Sequence, residues 1–268
     1  MTNKKTLKGT ILGVLLCIFY IVSRKILLII FRDNNIFAIA RLTLQSGIFL
    51  AGYFCIKKLF DINLKFTTKG LTKGIFRYGA IVFLVILANL IGTYTVPEIS
   101  VAAAAPKIAS ILVSMLGVGL AEEIIFRGVL FNTFKEYFSD TQSGVFKALF
   151  ISSVLFGSIH LTNLIFYPNL VVSTTAQVIY ATFYGFLMGI VYYRSNNIWT
   201  VIILHCLVDF SNAFWLGFGH EGMGISVHEG RQDISVMDGA ILVLSMSPLM
   251  ISALIQLNNE FKKRSLLG

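Results

Sequence analysis

The feature that most constrains this chain is a succession of apolar stretches, each long enough to cross a lipid bilayer. A span needs about 20 mostly apolar residues. Eight stretches qualify: about 9–30, 36–56, 75–96, 108–134, 145–163, 170–193, 197–217 and 239–257. Only 13% of the 268 residues are charged, 56% are hydrophobic, and mean hydropathy is +0.79. Soluble domains carry about 25% charged residues, so this composition excludes an ordinary water-soluble enzyme, a disordered chain and a coiled coil. The apolar residues run continuously instead of alternating, which excludes an outer-membrane barrel. The expected fold is all-α: a polytopic membrane bundle of about eight helices, forming a single membrane domain over residues 1–268.

Proline and basic residues refine the picture. Pro97 follows the third stretch, Pro106 opens the fourth and Pro168 opens the sixth, positions where proline costs a helix little. Pro248 falls inside the eighth and should kink it. With the amino terminus in the cytoplasm, inner segments hold 15 Lys and Arg, and outer segments hold five: Arg24, Lys25, Arg32, Lys107 and Arg231. The positive-inside rule then predicts that both termini are cytoplasmic. The net charge of +9 is read as basic loops facing anionic lipid, not as a nucleic-acid surface. Cys17, Cys55 and Cys206 all lie in apolar runs and are expected to be buried thiols without a disulfide framework. No internal repeat of the transporter kind is evident.

Ionisable groups inside a membrane are expensive and mark function by default. They cluster on three stretches: Glu122-Glu123-x-x-x-Arg127, Phe156-x-x-x-His160, and His205-x-x-x-Asp209 followed by Asn212. Glu123 and Arg127 are i,i+4 with the acid first, the better orientation for a helix ion pair. Glu122 lies about 100° around the helix. It has no local cation, so its partner must come from another helix, with the two histidines as candidates. His205 and Asp209 are also i,i+4, a spacing that can fix an imidazole tautomer. Phe156 shares a helix face with His160 and could wall the site against lipid. A desolvated glutamate beside histidines suits water activation, with the low dielectric strengthening each hydrogen bond to a developing oxyanion. Amide hydrolysis within the membrane is the reaction class this suggests.

These three motifs, in this order and spacing, resemble those of the CPBP family. It comprises the CAAX-type intramembrane endopeptidases and the bacteriocin-processing or immunity proteins, also called the Abi family. The resemblance covers residues 105–217, a catalytic motif core. It implies a hydrolase in which Glu122 activates water, His160 holds that water, His205 and residue 209 form the oxyanion site, and Glu123 and Arg127 support the geometry. Prenyl-protein proteases of the family typically carry Asn at the last position, and Asp209 departs from this. An ionised Asp cannot donate to an oxyanion. It is then protonated, or it orients His205, or Asn212 supplies the donor. The family is often labelled metalloprotease. No cofactor is expected here, with zinc on Glu122, His160 and His205 as the alternative.

The expected partners are membrane lipid and a membrane-associated peptide or protein, with no nucleic acid, in a multi-pass cell membrane setting, bacterial by family distribution. Two other functions fit the same residues: an immunity or binding protein acting without proteolysis, and a proton-coupled transporter. The repeated pairs His220-Glu221 and His228-Glu229 are read as a solvated loop, not a metal clip. Gly185 and Gly189 form a G-x-x-x-G read as helix packing within the monomer.

Overall fold

The computed structural model describes residues 3–30, 35–62, 67–94, 96–219 and 232–267, and among these there is no strand. Helices α1 (Asn3–Ile30) and α2 (Asn35–Phe60) are followed by the short α3 (Leu71–Tyr78) and α4 (Val82–Gly92). Then come α5 (Val101–Phe138), α6 (Gln142–Ser158), α7 (Val171–Ser195), α8 (Ile198–Ala213) and α9 (Val236–Leu267). A 3₁₀ turn, Ile159–Thr162, extends α6, and another, Phe214–Phe218, extends α8. Seven helices are individually long and apolar enough to span a membrane, or eight if the bent pair α3–α4 counts as one. The chain is therefore a multi-pass membrane protein. The pairs His220-Glu221 and His228-Glu229 lie outside the described residues.

Two expectations from the apolar runs need correction. The third stretch is not one straight span: α3 and α4 meet at 64°. The last turn of α3 is a π turn, Gly74–Tyr78, ending at Gly79. The Tyr78 carbonyl accepts a hydrogen bond from Gln256 Nε2 of α9, which satisfies a group that the break frees. The fourth span begins earlier than its apolar run suggests. Ser100 caps α5 by accepting from the Ala103 N–H, so Pro106 lies inside the helix instead of opening it.

The bundle is built around α5 and α7. Their inner faces supply most of the fully buried large side chains, including Phe126, Phe131, Phe186 and Met188. By contrast α1 leaves Leu7, Ile11, Leu15, Ile18 and Phe19 exposed, the surface a lipid-facing helix needs. Gly119 lets α5 approach α8 closely, since a Cβ there would sit 2.9 Å from the Ile202 carbonyl oxygen. This approach brings the acids of α5 against His205 of α8. Gly185 and Gly189 pack on Phe156, Ser153 and Leu149 of α6, so the G-x-x-x-G serves packing inside the monomer.

A long-range cap fixes the start of α7. Leu170, at its N-cap, supplies no side-chain acceptor. Asp233, from the segment before α9, accepts instead from the Val172 N–H (2.6 Å), the Ser173 N–H (2.8 Å) and the Ser173 hydroxyl (2.6 Å). Partial burial pulls the Asp233 carboxyl upward, but these hydrogen bonds and one from the Ile234 N–H outweigh it and hold the group below its usual range. A carboxyl with a lowered folded pKa adds stability above its unfolded value of about 3.9, lost as pH falls through the lowered value. Asp233→Ala is therefore expected to cost about 1 kcal/mol at neutral pH. Thermal unfolding of both proteins across pH should show this difference fading at strongly acidic pH.

Candidate active site

The site is organised by a change of helix type inside α5. Regular α-helix runs to Glu123 and gives way to a π-helical stretch, Ile124–Phe131. A π turn leaves carbonyls poorly matched and is often found at functional sites. Asn132 supplies the compensation. Its Nδ2 donates to the Arg127 carbonyl (3.1 Å) and the Gly128 carbonyl (2.7 Å), and is held by the Tyr192 hydroxyl oxygen (3.0 Å). The wide turn thus begins immediately after the two acids and includes Arg127.

Glu122, Glu123, Arg127 and His205 are all buried, each 4% exposed or less. Arg127 Nη1 donates to Glu123 Oε1 at 2.9 Å, the i,i+4 pair that the spacing anticipates. The same oxygen lies 2.6 Å from His205 Nδ1. A carboxylate paired with a guanidinium only accepts, so Nδ1 carries the proton. The other imidazole nitrogen, Nε2, then faces Glu122 Oε2 at 3.6 Å and Asp209 Oδ2 at 3.5 Å. Both separations are longer than an ordinary hydrogen bond. Three carboxylates from two helices thus surround one imidazole, with Arg127 as the adjacent permanent cation. The short contact to the His205 ring is thus from Glu123 at Nδ1, and Asp209 lies on the Nε2 side.

The partner of Glu122 comes from an unexpected helix. The Tyr20 hydroxyl of α1 donates to Glu122 Oε1 at 2.6 Å, leaving Oε2 on the His205 side. Spacing pointed to the histidines for this role, and His205 is indeed near, but the short hydrogen bond is from tyrosine. A single Tyr in an apolar run reads as an ordinary membrane aromatic, so nothing in the sequence singled it out. Tyr184, whose ring stands edge-on to His205 at 5.6 Å, was missed for the same reason, and Asn132 because it sits where the apolar run gives way to polar residues.

Phe156 is the hub of the remaining contacts. Its ring receives the Arg127 guanidinium at 4.6 Å and stands edge-on to both His160 and His205, each at 5.9 Å. Arg127 Nη2 also donates to the Gly185 carbonyl of α7 at 3.2 Å, tying a third helix into the cluster. His160 sits in the 3₁₀ turn after α6, half-buried, and joins the group through Phe156. Asp209 is the more open edge, with its side chain 32% exposed against 4% for His205. Five of the six expected site residues therefore meet directly, and the sixth is linked through an aromatic ring. Among the described residues, no group of three or more His, Cys, Asp or Glu side chains is placed to hold a metal ion.

This cluster falls within one recognisable segment. Residues 104–211 match the family model for the type II CAAX prenyl endopeptidases, Rce1-like. Over this segment the chain is similar to that family. The match takes in all six expected site residues and bears out the resemblance read from the three motifs. No curated protein and no solved structure matches the chain significantly. Tyr20, the hydrogen-bond partner of Glu122, lies outside the matched segment.

Proposed function

We propose that this chain is a CAAX-protease-like intramembrane endopeptidase that hydrolyses a peptide bond of a membrane-associated peptide or protein with a glutamate-activated water. The observation that carries this reading is the pairing of Glu122 with His205 in a buried cluster, one oxygen held by Tyr20 and the other facing Nε2. Glu122 Oε2 takes a proton from water as the new C–O bond forms at the scissile carbonyl. The charge that develops on the carbonyl oxygen is stabilised by His205, which as an imidazolium donates Nδ1–H to Glu123 and Nε2–H to the oxyanion. The C–N bond then breaks, and the proton on Glu122 passes to the leaving amine. His160 holds the attacking water with Glu122. Glu123 and Arg127 keep the imidazole fixed, so little reorganisation is required during the reaction.

In this reading the mechanism is metal-free, and Asp209 tunes the Nε2 side of His205 instead of donating to the oxyanion. His205 is the eighth residue of the 16-residue α8, which supports cleavage near the middle of the bilayer. The proposed setting is a bacterial plasma membrane with both chain termini in the cytoplasm. The test is a reconstituted reaction. The purified chain in proteoliposomes is expected to cut a membrane-anchored prenyl peptide, with both fragments identified by mass spectrometry. Protection against a bacteriocin, or proton flux, without any cleavage would instead favour the immunity or transporter reading.

A further inference from the structure

A cavity at the other end of α8 is independent of the catalytic cluster. It has a volume of about 630 Å³ and lies where the end of α7, the start of α8 and the start of α3 meet. Its base includes buried Tyr192, Ser195, Asn197 and Ile198, and its rim carries Lys69, Lys73 and Arg194. Among the described residues, no carboxylate lines it.

The loop that supplies Lys69 and leads into α3, which carries Lys73, is pinned in place. Asn197 Nδ2 donates to the carbonyls of Thr67 (2.8 Å) and Lys69 (3.1 Å). Gly70 has φ of 80°, in the left-handed region, and a Cβ there would come within 2.2 Å of the Ser195 carbonyl oxygen. Only glycine lets this loop close onto the α7–α8 turn. Arg194 is committed to Glu260 (3.3 Å), Gln256 (3.2 Å) and the face of Tyr78 (4.1 Å). Lys69 and Lys73 have no acidic partner among the described residues. Two ammonium groups are thus held over a polar, concave floor with no acid to neutralise them.

We infer that this cavity is a specific site for a phosphate-bearing anionic phospholipid headgroup. Two observations favour lipid as the source of the phosphate. The cavity lies at the ends of membrane-spanning helices, where headgroups are present at high local concentration. Its walls mix apolar Ile62 and Ile198 with polar groups, matching a headgroup that joins a glycerol backbone. Other basic residues at helix ends, such as Lys57, Lys58, Lys262 and Lys263, do not line it.

Lysine is suited to such a ligand as a mobile point charge that can follow a phosphate. His205 lies seven residues along α8 from Ile198, about 10 Å at 1.5 Å per residue. A bound headgroup would therefore anchor the helix that carries the imidazole, without touching the reacting groups.

The test uses the full chain in neutral phosphatidylcholine nanodiscs, with phosphatidylglycerol titrated in and binding followed by native mass spectrometry and thermal unfolding. The wild type is expected to retain phosphatidylglycerol and to unfold at higher temperature as it binds. Lys69→Gln/Lys73→Gln should weaken the apparent affinity roughly thirty-fold, from about one lysine's surface contribution each. Lys262→Gln/Lys263→Gln, which removes the same charge outside the cavity, should leave it within about two-fold. Equal losses in the two double variants would overturn the site, because they would mean general attraction to a charged surface. A shift of equal size with inorganic phosphate alone would overturn lipid as the source. The readout is binding, so a failure here is separable from any failure of peptide cleavage.

Discussion

Replacing Glu122 with Gln is expected to lower kcat for peptide cleavage by about 10³-fold while leaving the fold intact. A positioned general base contributes about 10²–10⁴-fold. The amide is nearly isosteric with the carboxylate, and its oxygen can still accept from the Tyr20 hydroxyl, so the buried hydrogen bond of 2.6 Å is preserved. What is lost is the ability to take a proton from water. Unfolding temperature within a degree or two of wild type (about 0.5 kcal/mol or less), with cleavage near background, is the expected pair of results. Cleavage by the Gln variant at the wild-type rate would sink the glutamate mechanism. Tyr20→Phe is the milder companion. It leaves Glu122 in place but removes a hydrogen bond to a charged acceptor, an interaction of about 1.5–3 kcal/mol. A fall of roughly ten-fold or more in kcat with KM little changed would mark Tyr20 as a positioning residue.

This pair of variants also shows what a sequence of this kind can and cannot reveal. The membrane spans were legible because a bilayer demands long apolar runs, and α5 to α8 fall close to where those runs lie. The break between α3 and α4 was not, since hydropathy is blind to a π turn ending at Gly79. Within the site, the Glu123–Arg127 pair was legible because i,i+4 spacing is local. The role of Glu123 in holding His205 was hidden, because it depends on α5 and α8 meeting at Gly119. Tyr20 was hidden more deeply. Its hydroxyl acts across 102 residues of sequence, and tyrosine is common in membrane helices for reasons unrelated to catalysis. Nothing in the sequence singled out Asp233, although it caps a helix 60 residues earlier. Local chemistry was readable from spacing, and partners brought by tertiary packing were not.

The second large effect concerns Arg127. Arg127→Met is expected to destabilise the protein by about 3–5 kcal/mol, because it leaves Glu123 as a buried acid without its guanidinium. The Gly185 carbonyl also loses a donor, and the cation on the Phe156 face is removed. Arg127 does not reach the proposed reacting atoms: its contacts are Glu123, Gly185 and Phe156. Its influence on catalysis must therefore pass through Glu123 to His205 Nδ1. A double replacement separates the two roles. In Glu123→Gln/Arg127→Met the buried charges leave together, and most of the lost stability should return, since removing both members of a buried pair is often nearly neutral. The Gln oxygen can still accept from Nδ1, so the imidazole keeps its orientation but loses the negative charge beside it. Cleavage should then recover only in part. A double variant as unstable as Arg127→Met would show that the guanidinium's contacts to Gly185 and Phe156, and not its charge balance with Glu123, hold α5, α6 and α7 together. A double variant that is stable and fully active would show that the Glu123 carboxylate does nothing for His205 that a neutral amide cannot do. Unfolding midpoints of the four proteins in one detergent, measured beside their cleavage rates, separate these outcomes.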